Sequence, residues 1–379
     1  VAMLHRERVQ KALNHEETDR VPIDFGGGPA TQIHPTAYSN LLGYLGFAEE
    51  NLPTSHRGEG QVVAPSEKIL RHFDVDVRGF YTLEPDSSQG RPIAENKYID
   101  EWGVTWEKSG TLHPYINVLG PLQHISVPVI ADIDSIRWPV PDDSGRIRGL
   151  RDRIEAVRTQ TDYAVVLNLP NGTFALTQRV RGFVETLEDL LLNKAFIEAL
   201  HERVTDVICG IAVLALTEVG DLIDGVSFGD DMGTQSQSYM GIDLYKELVK
   251  PHHVRFVDVL HKHTDAKVII HSDGSVRELL PDFIDCGIEV INPVQVSATG
   301  MEPGQLNREF GKDLSFWGGI DTQHVLPWGD ENDVTEAVAG RRKDLGKGGG
   351  YVQASVHNIQ SEVPPENVVA MFETALGRR

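Results

Sequence analysis

Short apolar runs alternating with amphipathic helical stretches constrain this chain more than any other feature. The runs occupy 21–25, 75–80, 163–168, 223–228, 267–270, 288–291, 314–317 and 351–354. Between most of them apolar residues recur at three- and four-residue spacing, as over 187–213, 244–260, 276–284 and 334–345, the signature of helices with one buried face. Glycines such as Gly220, Gly287, Gly311, Gly346 and Gly348 to Gly350 punctuate the approach to the next strand, where a helix commonly ends in a left-handed turn. This alternation implies parallel strands joined by crossover helices. Eight such strands predict an α/β fold, a (β/α)8 TIM barrel with an N-terminal helix over 3–14, spanning residues 1–379 as one domain. A dinucleotide-binding sheet would carry Gly-x-Gly-x-x-Gly after its first strand, and Gly26-Gly27-Gly28 lacks that spacing. Residues 84–160 break the alternation. They are rich in proline, contain Trp102 and Trp106, and are expected to form an irregular insertion covering the barrel mouth.

Composition narrows the function. Thirty-five lysines and arginines against 56 acidic residues give a formal charge of −21. That argues against nucleic acid and against an anionic membrane surface, both of which need clustered cations. The two cysteines, Cys209 and Cys286, form no Cys-x-x-Cys pair and are expected to be reduced, structural thiols. No apolar run reaches the roughly 18 residues of a membrane span. A cytoplasmic protein acting on a small molecule is expected.

In barrel enzymes the catalytic groups come from the C-terminal ends of several strands. The sharpest end here is Lys267-Val-Ile-Ile270 running into His271-Ser-Asp-Gly274. His271 and Asp273 offer an imidazole and a carboxylate, a pair that zinc, iron and manganese accept, and His357 after the eighth run is a candidate third ligand. The bland alternative makes Asp273 a helix cap and His271 a hydrogen-bonded core histidine. Asp230 and Asp231 follow the fourth run. They are candidates for a metal, for orienting His271, or for proton transfer, since paired carboxylates push one pKa up, although one of the two is expected to be a turn residue. The other ends supply Asp24, Arg78, Asn168, Asn292, Gln295, Asp321 and Asn358 as candidate substrate-binding groups, with Asp321 equally suited to capping the next turn. His252, His253, His261 and His263 are expected to be solvated helix residues. Neither a Gly-x-Ser-x-Gly elbow nor a phosphate-binding glycine loop is present.

The stretches Arg6-Glu-Arg-Val-Gln-Lys-Ala-Leu-Asn14 with Asp19-Arg-Val-Pro22, Gly318-Gly-Ile-Asp321 with Leu326, and Val363-Pro-Pro-Glu-Asn-Val368 resemble the uroporphyrinogen decarboxylase superfamily. The resemblance implies a (β/α)8 barrel and one of two chemistries. The decarboxylases work without cofactor and carry an arginine-rich Arg-Gln-Ala-Gly-Arg-Tyr signature, where this chain has Asp24-Phe-Gly-Gly-Gly-Pro29. The corrinoid-dependent methyltransferases hold zinc through His-x-Cys and a further Cys, and the matching positions here are His271, Asp273 and His357. Replacing thiolates by carboxylate and imidazole gives a harder site, suited to an oxygen-bearing methyl donor rather than a thiol acceptor. The resemblance therefore implies a methyltransferase with a divalent metal, zinc first, and a corrinoid supplied by a partner protein. A cofactor-free decarboxylase and a non-catalytic corrinoid- or tetrapyrrole-binding module are the alternatives, and a homodimer is compatible with either enzyme.

Overall fold

The computed structural model describes residues 2–50, 52, 62–88, 90–108 and 115–379. Its centre is a curled parallel sheet of seven strands in the order β1 (Val77–Tyr81), β6 (Ala164–Asn168), β7 (Gly225–Gly229), β8 (Lys267–His271), β9 (Val290–Asn292), β10 (Ser315–Trp317) and β11 (Tyr351–Val352). Every neighbouring pair is parallel and follows chain order, as in a TIM-barrel-like fold. The strands are short and buried on both faces, which is why they read as continuous apolar runs rather than as alternating ones.

The expected first strand over 21–25 is reduced to a single bridge between Ile23 and Gln353. Its backbone still reaches both neighbours. Gln353 donates to the Pro22 carbonyl, Asp24 donates to the Gln353 carbonyl, and Asp76 donates to the Ile23 carbonyl. Pro22 lacks an N–H, so the segment cannot continue a regular ladder.

Side chains inside the curl form two layers. The floor is apolar, made by Val77, Ala164, Val166, Ile269, Val290, Trp317, Val352 and Ala354. Val9 and Leu13 of the N-terminal helix His5–Leu13 join this cluster and plug the end where the strands begin. Arg8 and Arg20 anchor the plug. Both bond to the fully buried Asp76, at 2.5 and 2.6 Å, and Arg8 also holds Asp19 at 2.7 Å. Above the floor, at the strands' C-terminal ends, the interior turns polar.

The range 84–160 is more regular than its sequence suggests. It holds a four-stranded antiparallel sheet of β2 (Arg91–Ala94), β3 (Lys97–Ile99), β4 (Thr105–Lys108) and β5 (Tyr115–Leu119). Residues 89 and 109–114 lie outside the described residues. Trp102 and Trp106 are buried in the large core cluster, and Trp106 donates its indole N–H to Asp100 at 2.8 Å. The helix Leu150–Gln160 ends the range and leads directly into β6, so it belongs to the strand–helix alternation. Cys209 and Cys286 are buried and free, and burial raises both thiols to about 11. Among the described residues no helix is long and apolar enough to cross a membrane.

Candidate metal centre and active site

His271 ends β8 and is the register partner of Asn292 at the end of β9. Parallel register points both side chains to the same face, and the His271 Nδ1 sits 2.6 Å from the Asn292 Oδ1. An amide oxygen only accepts, so Nδ1 carries the proton and Nε2 presents its lone pair. That Nε2 faces Asp273 Oδ2 at 3.7 Å and Asp231 Oδ1 at 3.9 Å. His357 approaches from beyond β11, its Nε2 4.0 Å from the same Asp273 oxygen. One ligand atom from each of His271, Asp273 and His357 falls within 4.8 Å of the others.

Two loops hold Asp273 in place. Its N–H donates to Asp231 at 3.0 Å, and the Gly274 N–H donates to Gln295 at 2.7 Å. Gly274 has φ +90°, and a Cβ there would lie 2.4 Å from the Gly233 carbonyl carbon. The crossing of the β7 and β8 loops therefore requires glycine.

Electrostatics follow from this crowding. Burial works to lower the His271 pKa, but Asp273, Asp231 and the Asn292 hydrogen bond outweigh it and leave the imidazole above its usual value. Burial raises Asp273, against the opposing pull of both histidines. His357 is lowered, chiefly by burial. The second oxygen of Asp273, Oδ1, is buried without a hydrogen-bond partner among the described residues. An orphan carboxylate oxygen beside an imidazole with a free lone pair offers donors of the kind a divalent ion accepts. The three side chains fit such an ion.

The other expected site residues divide. Asp231 is half-exposed and stands beside the triad. Asp230 is buried and turned away: it accepts the N–H groups of Phe174 and Ala175 at the start of the helix Thr173–Arg181, at 3.1 and 2.6 Å. Its third partner is His253 Nε2 at 2.9 Å, and His253 meets the Tyr245 hydroxyl at 3.0 Å. The expectation that His252 and His253 are solvated is thus wrong. Both are buried, because the helix Lys250–His263 turns that edge onto the helix Lys194–Val219 and the β7 loop. Asp24 and Asn168 line a small cavity with His271 and Asn292. Gln295 and Asn358 serve the backbone, Asn358 by accepting the Gln32 N–H at 2.8 Å. Asp321 caps its own turn through the N–H of Gln323 at 2.7 Å. Arg78 is not at the rim. It is the second residue of β1, and its guanidinium bonds Glu67 at 2.9 Å and the carbonyls of Val75 and Val77.

Sequence reasoning passed over Tyr239 and Arg179. Burial raises the Tyr239 hydroxyl, and the Asp231 and Asp273 carboxylates add to it. Burial lowers Arg179 to about 10, opposed by Asp231 and Asp230. Both residues sit in helical or loop segments with no strand-end signal, so only the folded chain brings them to Asp231.

The fold and the donor set define a TIM-barrel-like protein with its polar groups at one end. A sequence model of the Uroporphyrinogen decarboxylase (URO-D) family matches residues 119–377, and the chain belongs to that family. Among solved structures it is similar to a methyltransferase from Methanosarcina mazei, at 15% identity and TM-score 0.66 over 99% of each chain. A B12-independent methionine synthase from Shewanella sp. W3-18-1 in complex with selenomethionine matches at 9% identity and TM-score 0.47, over 95% of this chain and 99% of that one. No curated protein matches the sequence.

Proposed function

We propose that the protein is a metal-assisted methyltransferase that takes a methyl group from a small O-methyl donor and passes it to a corrinoid on a partner protein. The observation that carries this reading is the His271–Asp273–His357 cluster with its unpartnered Asp273 oxygen. Family membership and the fold shared with a methyltransferase support it. A divalent ion held there would supply Lewis-acid polarisation of an ether oxygen. The protein's own groups do the rest. Asn292 fixes the His271 tautomer, while Gln295 and Asp231 hold the turn that carries Asp273. As the methyl carbon departs the bonding pair stays on the oxygen, whose charge the held ion would balance, while Asp231, half-exposed beside the triad, steadies Asp273 by accepting its N–H. The β2–β5 sheet is the candidate cover for the mouth.

The test combines elemental analysis with methyl transfer to cob(I)alamin. One equivalent of a divalent metal is expected, and His271→Ala is expected to lose the metal together with at least 100-fold of the transfer rate. A protein without metal whose transfer is unchanged by His271→Ala would overturn the reading. Conversion of uroporphyrinogen to coproporphyrinogen by the same preparation would point instead to decarboxylation.

A further inference from the structure

Directly beneath the triad lies a cavity lined by Asp24, Thr31, Asn168, Ser227, His271 and Asn292, among others. About 20 Å³ of it is open to the centre of a water molecule, enough for one water or one polar head of similar size. Its hydrogen-bonding capacity is lopsided. Asn168 is 2% exposed. Its amide nitrogen is spent on the carbonyls of Gly27 and Phe80, at 2.9 and 3.3 Å, and its Oδ1 has no partner among the described residues. Asp24, also 2% exposed, is a buried carboxyl that accepts from the Trp317 indole at 2.9 Å and from the Gly27 N–H at 2.7 Å. No lysine or arginine is among the described residues lining the cavity. A buried acceptor left unmatched, as Asn168 Oδ1 is, costs about 1–3 kcal/mol. Burial also raises the Asp24 carboxyl, against hydrogen bonds from Trp317, Gly27 and Thr31 and the charge of Arg78 behind the chamber wall.

We propose that this chamber is a subsite for a hydrogen-bond donor, a protonated amine or a hydroxyl on the substrate, which bridges Asn168 Oδ1 and Asp24 and displaces a resident water. Carboxylates and phosphates are excluded by the same acceptors. The subsite sits below His271, so a donor group seated there leaves the rest of a small molecule pointing at the triad. The inference deepens the proposed function by giving the chemistry of the substrate's second polar group, and it rests on that reading only for what happens after binding.

Gly28 provides a clean probe. A Cβ at that position would meet Asn168 Oδ1 and Thr31 Oγ1 at 3.8 Å each, an ordinary contact distance, so Gly28→Ala places a methyl in the chamber without forcing the backbone. Saturation-transfer NMR on the methyl signals of methylammonium, methanol and acetate tests the idea without any methyl transfer. Transfer to methylammonium or to methanol is expected in the wild type, none to acetate, and at least a fivefold loss in a folded Gly28→Ala. Asp24→Asn separates the two sources: a response confined to methylammonium and lost in Asp24→Asn identifies an amine, and a methanol response that survives it identifies a hydroxyl. Saturation of acetate as strong as of methylammonium, no transfer to either donor, or an undiminished response in Gly28→Ala would overturn the proposal. The methyltransferase reading would stand under any of those three results, and would fall only on its own assay.

Discussion

Asn292 and His271 are register partners at the ends of adjacent strands, so the tautomer of a candidate ligand is decided by a neutral neighbour. Partners of this kind typically carry 10- to 100-fold of metal affinity. Asn292→Leu keeps the volume, removes the acceptor and frees the ring to turn. A 10- to 100-fold weaker zinc affinity is expected, read by competition with a chromophoric chelator, with the melting temperature close to wild type. At this scale the sequence was informative where chemistry and strand end coincided. His271, Asp273 and His357 could be picked out and do converge. Arg78 could not be placed, because a strand one residue longer or shorter moves a side chain from rim to outer face, and the run over 75–80 does not show where β1 begins. Asp230 and Asp231 read identically as letters. Which one faces the triad is settled by the helix start that captures Asp230.

The helices Lys194–Val219 and Lys250–His263 bury a histidine pair between them, His201 and His252, with ring centroids 5.4 Å apart. His201 gives its Nδ1 hydrogen to the Leu248 carbonyl at 2.7 Å, and its Nε2 has no partner among the described residues. Burial, aided by the neighbouring histidines, holds His201 down to about 3 and His252 to about 4, from 6.5. Both are neutral in the folded protein, while an unfolded chain takes up protons on them below pH 6.5. The folded state therefore keeps its full stability from these groups above about 6.5 and loses it as pH falls toward 4 and then 3. Each histidine contributes up to about a tenfold drop in the folded-to-unfolded ratio per pH unit. Urea denaturation at pH 7.5, 6, 5 and 4.5 should show this slope. Replacing His201 and His252 together by Gln should flatten it. The periodicity of these helices was legible, but their burial was not. A helix packed on another helix as well as on the sheet hides polar residues that a single-face pattern assigns to solvent.

At the scale of the molecule, the N-terminal stretch that carried the family resemblance belongs to the floor rather than to the active site. Arg8, Asp19 and Arg20 converge on or around Asp76, which is fully buried and also accepts the Ile23 N–H at 2.7 Å. Asp76→Ala leaves two guanidinium groups facing an empty site, and a loss of about 3–5 kcal/mol is expected. Chemical denaturation measures it. Metal content at the far end should be unaffected while the protein remains folded. The N-terminal motif thus reported the architecture through the floor, at the opposite end of the strands from the triad. The order of strands was legible for the same reason, since each is an apolar run flanked by a helix. Among the expected barrel strands the segment over 21–25 misled, because Pro22 gives an apolar run that cannot complete a ladder, and the antiparallel sheet within 84–160 was hidden by its prolines and short strands.

The plugged floor has a kinetic corollary. Among the described residues, Val9 and Leu13 fill the strands' starting end, which leaves the polar end, where the triad stands, as the way in. Under the proposed function, a methyl donor would enter through that end before a corrinoid-bearing partner covers it, and the demethylated product would leave after the partner withdraws. That proposal predicts ordered addition, donor first and carrier second, with excess carrier inhibiting turnover competitively with the donor in steady-state kinetics.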